Sequence, residues 1–147
     1  MKGDPLPQQS HISRYCSALH CTENGQVTGR AFQVRTTEEY LSVNWLEFLQ
    51  LNDRKEEIKE IRKILASKLT LGAKAKIAVL NVGEIIDFIR SQSADGRNMS
   101  VLHEPEEDDP SHSGIYGYGY DDQLIAFLIA ELIKEAYPAR QTGNAID

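Results

Sequence analysis

Apolar positions recur along this chain at two different periods, and the changes of period mark its elements. Residues 11–22 and 27–35 read as strands joined at Asn24-Gly25, a dipeptide suited to a tight hairpin turn because both central residues need positive φ. Phe32 and Val34 alternate with Gln33 and Arg35, as in a half-buried strand. A helix is expected next: Thr36–Glu39 and Asn44–Glu47 both have N-cap spacing, and Trp45, Leu46, Phe48, Leu49 and Leu51 supply an apolar face that places Trp45 in the core.

The clearest helix opens at Asp53, with Ile58, Ile61, Leu65 and Leu69 at helical spacing, and ends near Gly72. Ile77-Ala78-Val79-Leu80 is too short for a helix and apolar throughout, the mark of a strand covered on both faces. Gly83 breaks it. A short helix over 84–91 and a strand over 99–103, separated by the turn-like Ala94-Asp95-Gly96, complete a βαβ-like unit with a right-handed crossover. The last helix starts at Asp121 and runs to about Tyr137, before Pro138. Residues 1–10, with two prolines and no apolar run, read as a disordered arm, and 138–147 as a flexible tail. The expectation is a single α+β domain over 11–137: an N-terminal β-hairpin, a central βαβ-like unit and a C-terminal apolar helix.

Composition narrows the function classes. With 147 residues and 41% hydrophobic content, the chain supports one core. A net charge of −6 disfavours general affinity for nucleic acid or anionic lipid, since neutralising phosphates requires surplus Lys and Arg. Two cysteines make no disulfide framework, and the first residues carry no apolar targeting segment, so reduced thiols and a cytoplasmic location are expected. No stretch is long and apolar enough for a membrane span. Residues 54–76 hold eight Lys or Arg against three Glu, whereas 104–122 hold seven Asp or Glu and no Lys or Arg. Segments of opposite sign can meet within one molecule, between two copies, or across a partner interface.

All four histidines and both cysteines fall in two windows, His11 to Cys21 and His103 to His112. In a strand, Cys16 and His20 share a face while His11 and Cys21 point away, so zinc there would need ligands from elsewhere. The second window has five carboxylates in the six positions 104–109. His103, Glu104, Asp108 and His112 are its candidate ligands for a divalent metal, although the spacing matches neither a calcium loop nor a zinc-protease helix. A solvated acidic loop is the plain alternative. His11, Arg14 and Arg35, with Glu38, form a candidate anion site if the hairpin gathers them. Nucleophile-elbow, P-loop and dinucleotide motifs are absent.

Projection of the last helix at 100° per residue places Gln123, Glu131, Lys134 and Glu135 on a polar face that Leu124 and Phe127 interrupt. Two large apolar residues on such a face suggest contact with another surface. The expected function is accordingly a small intracellular protein-interaction or regulatory module, self-associating or bound to a protein partner. The alternative is a metal-dependent enzyme or ligand-binding domain built on the His103–His112 loop.

Overall fold

The run Ile77-Ala78-Val79-Leu80 sets the layering, because successive side chains of a strand point to opposite faces and all four are apolar. The computed structural model, which describes residues 2–140, places that run in a sheet of six strands. The strands are β1 (His11–Cys16), β2 (Leu41–Trp45), β3 (Lys76–Asn81), β4 (Ser100–His103), β5 (His112–Tyr116) and β6 (Glu135–Pro138). Their spatial order is β4-β5-β2-β1-β3-β6, and every neighbouring pair is antiparallel. Three helices cover the sheet: α1 (Arg54–Lys68), α2 (Val82–Gln92) and α3 (Gln123–Ala130). Ile77 and Val79 pack with Ile58, Ile61 and Leu65 of α1, whereas Ala78 and Leu80 join α2 and α3 in the larger core on the other face. The domain is α+β, and among its described residues no helix is long and apolar enough to cross a membrane.

The βαβ-like unit is present in a stretched form. β3 and β4 flank α2 and run parallel, since an even number of antiparallel steps separates them, but β1, β2 and β5 lie between. Helix starts follow their caps: Asp53 accepts the Glu56 amide at 2.9 Å and Asn81 accepts the Glu84 amide at 2.9 Å. The Asn81 cap starts α2 at Val82, so Gly83 is helical rather than a break. Its missing side chain lets the Gln8 carbonyl approach and accept the Gly83 amide at 2.9 Å.

The N-terminal hairpin is shorter than the sequence pattern predicts. Thr22 and Gln26 close the turn, Cys21 bridges Val27, and only Gly25 takes positive φ, 82°. Gly29–Phe32 then winds into a 3-10 turn instead of continuing a strand, and the Arg14 side chain, bonded to Ala31 O, stands between it and β1. The expected helix around Trp45 is instead β2. Leu41 and Val43 face the core and Ser42 and Asn44 the opposite side, a period of two hidden by the apolar run that follows. Only Glu47–Leu49 turns helically, ending at Gln50 with φ 54°.

Residues 121–137 are two elements rather than one helix. α3 stops at Ala130, and Glu135–Pro138 extends as β6 along β3, with Val79 opposite Glu135 and Lys76 opposite Pro138. Summing a helix and a strand made the stretch look apolar nearly all round. The N-terminal arm is also ordered: the Gly3 amide donates to His103 O (2.6 Å), the His103 amide to Asp4 O (2.8 Å) and the Leu6 amide to Val101 O (2.9 Å), with Leu6 buried. These bonds occupy the outer edge of β4, so residues 2–10 belong to the fold. At the other end Pro138 lies in β6 and Ala139 is buried, its amide bonded to Ala75 O at 2.9 Å. The remainder of the expected flexible tail, 141–147, lies outside the described residues.

Helix α3 is seated on the 29–32 turn through Gly29, against which the Phe127 ring and Cα lie so closely that any Cβ would overlap them. Gly29→Ala is therefore expected to destabilise the fold by about 1–3 kcal/mol, the usual cost of an overpacked site. Urea unfolding followed by circular dichroism measures it, and an unchanged midpoint would mean that α3 can move away without loss.

Candidate functional site

β1 pairs with β3 along its whole length but with β2 only at Ile12–Trp45 and Ser13–Asn44. Past Ser13 the two strands part. The Arg14 side chain enters the gap, donating from Nη1 to Ser42 O (2.9 Å) and from Nε to Ala31 O (3.0 Å). A cleft of about 380 Å³ opens there, between the end of α1 and the 104–111 loop. A wider depression of about 1010 Å³ lies beside the 22–25 turn, but its lining includes no buried polar side chain. The cleft has several, so it is the better candidate site.

Its floor is a polar row across three strands, with Ser13 opposite Asn44 and Asn44 opposite His112. Ser13 is 2% exposed and its Oγ has no hydrogen-bond partner. Asn44 Nδ2 donates to both carboxylate oxygens of Asp109 (2.8 and 2.9 Å) and to Ser111 Oγ (2.8 Å). Lys68 Nζ, from the last turn of α1, reaches Asp109 (2.8 Å) and Glu106 (3.1 Å). Burial pushes the Asp109 carboxyl up, but the hydrogen bonds from Lys68, Asn44 and Ser111 and the Lys68 charge outweigh it and hold the group below its ordinary range. The basic and acidic segments thus meet within one molecule.

This geometry corrects the picture of a wholly solvated acidic loop, since Asp109 is 1% exposed while Glu106, Glu107 and Asp108 face water. The four residues singled out as metal ligands do not converge. His103 pairs with Ser113, the neighbour of His112, so the two rings lie on opposite faces of the sheet. His103 Nε2 bonds Pro110 O at 2.7 Å, and its ring packs on Trp45 and Phe48. His112 Nδ1 bonds Glu104 O at 2.8 Å, the Glu104 carboxylate accepts the Tyr116 hydroxyl, and Asp108 is exposed. Among the described residues no group of three or more His, Cys, Asp and Glu side chains gathers as a metal site.

Cys16 is fully buried in the larger core, and burial pushes its thiol up to about 12, which disfavours the thiolate. His20, its proposed co-ligand, stands instead at the cleft with Arg14 and Arg35. Burial and then the charges of Arg30, Arg14 and Arg35 hold His20 below its ordinary pKa. The anion grouping therefore survives in altered form: Arg14 and Arg35 share the cleft, while His11, near the far end of β1, bonds Glu47 at 2.8 Å. His20 takes its place. Leu124 and Phe127 are 69% and 48% exposed on α3, although of the projected polar face only Gln123 belongs to that helix, Glu131, Lys134 and Glu135 lying beyond it.

The opposite fates of two adjacent loop carboxylates can be measured. Asp109→Ser should cost about 1–3 kcal/mol by leaving buried donors unpaired, whereas Asp108→Ser should stay within about 0.5 kcal/mol of wild type. Because the folded-state pKa of Asp109 is depressed, its contribution is present above the ordinary carboxylate range and lost as pH falls through the folded value. Wild type should accordingly lose more stability than Asp109→Ser between neutral pH and acid, read as unfolding midpoints across that range; parallel pH profiles would count against the ion pair.

No family model, curated protein or solved structure matches this chain.

Proposed function

We propose that this protein is a small interaction or regulatory module that acts by protein contact through the outer face of α3, either with a second copy or with a protein partner. The observation carrying this reading is the exposure of three large apolar side chains around one short helix: Tyr120 (58%), Leu124 (69%) and Phe127 (48%). Leu124 and Phe127 are three residues apart and so share a helix face, and the inner face of the same helix is committed to the core through Ile125, Ala126 and Ile129. Apolar side chains grouped in this way mark surfaces that another molecule covers. Two free thiols, one of them in the core, fit a reducing compartment and support a cytoplasmic location.

The metal-dependent enzyme alternative draws no support from the geometry, since its histidines face opposite ways and each bonds a backbone carbonyl.

Leu124→Asp is the clean variant, because Leu124 is the more exposed of the pair, whereas Phe127 also holds α3 against Gly29. Light scattering after size exclusion should show wild type larger than a monomer and Leu124→Asp reduced to one, with unfolding midpoints within about 0.5 kcal/mol of each other. If wild type is itself monomeric, crosslinking in lysate should capture a partner that Leu124→Asp releases. A monomer whose captured species are unchanged by the substitution would overturn the reading.

A further inference from the structure

One end of the β1–β2 cleft gathers Arg14 and Arg35 in a chain whose net charge is −6. Among the described residues, the Arg35 guanidinium and the His20 imidazole make no hydrogen bond or ion pair, and Arg35 is exposed at the cleft. Arg14 spends two donors on backbone carbonyls that fix it in the gap. Arg30, Arg14 and Arg35 put positive charge around His20, which favours its neutral form and a negative group entering the cleft. At the floor of the same cleft the Ser13 hydroxyl is buried without a partner, a state that costs free energy unless a ligand or water satisfies it. The acidic side of the cleft does not compete for these arginines: Asp109 and Glu106 are bonded to Lys68, and both Asp109 oxygens also take Asn44.

We infer that the cleft between β1 and β2 binds a small organic oxyanion, a carboxylate or a phosphate monoester, held by Arg35 and His20 at the mouth and by the Ser13 hydroxyl at the floor, with Arg14 as the fixed positive wall. Arginine forks suit the planar pair of oxygens of either group, and a cavity of about 380 Å³ lies in the range that encloses a metabolite-sized ligand. Glu38 takes the Arg35 amide at 2.9 Å and acts on Arg14, so it offsets part of the positive charge without bonding either guanidinium. The site stands apart from the α3 surface and needs no partner protein.

Titration of the full chain with inorganic phosphate, phenyl phosphate and citrate, followed by backbone amide NMR, tests the inference. Saturable shifts at Ser13, His20 and Arg35 that persist at 150 mM salt are expected for at least one probe. A response to phenyl phosphate alone assigns the phosphate source, a response to citrate alone the carboxylate source, and a response to both the shared chemistry. Arg35→Glu should weaken binding at least tenfold and Ser13→Ala several-fold, with spectra otherwise native. Arg35→Ala serves if the charge reversal disturbs the fold. No saturation with any probe overturns the inference, as does binding that salt abolishes and that Ser13→Ala leaves unchanged, which would mark a screened surface cluster only.

Discussion

The unequal pairing of β1 governs this molecule. A strand with two neighbours normally gives each a full ladder, because an unpaired buried amide or carbonyl is costly. Here β1 keeps its complete ladder with β3 and abandons β2 after Ser13. Arg14 makes that separation tolerable. Its fork serves the Ser42 and Ala31 carbonyls and fills the space with side chain. The same residue ties the 29–32 turn to the sheet, and that turn is the seat of α3 through Gly29. Cleft, turn and helix therefore depend on one guanidinium.

The second organising contact is electrostatic. An acidic loop beside a basic helix invites a reading in terms of partners, but here one lysine joins the two segments within the chain. Lys68 draws Asp109 and Glu106 to the end of α1, and Asn44 fixes the carboxylate from beneath. One buried acid with three kinds of donor anchors a loop whose Glu106, Glu107 and Asp108 side chains are exposed. The anchored loop then forms one wall of the cleft.

What the sequence made legible is what short-range physics writes. The Asp53 cap, the periodicity of α1 and the doubly covered β3 could be read because each depends on residues within a few positions of one another. Long-range pairing could not. Nothing local says that Glu135–Pro138 leaves a helical pattern because β3 has an edge to offer, or that Gly29–Phe32 coils over the Arg14 side chain. β2 was hidden for a different reason: Trp45 to Leu51 overwhelms the two-residue period of Leu41 to Asn44, and with it went Asn44 as a site residue. Ser13 gave no signal at all, since a lone serine in a strand is ordinary until its hydroxyl is seen to be buried and unpartnered. His103 and His112 drew attention by residue type, yet a strand's alternation sends them to opposite sides.

The arm along β4 bears on how copies of this chain can meet. A sheet edge is a row of ready hydrogen-bonding groups, and bare edges recruit other strands into open-ended polymers. Residues 3–6 take the Val101 and His103 backbone groups on one side, and the other edge strand is four residues long and ends in Pro138, which has no N–H to give. Growth by adding strand to strand is thereby discouraged at both margins. Any contact between copies would then fall to side-chain surfaces, where a self-complementary patch closes a pair and a head-to-tail one does not.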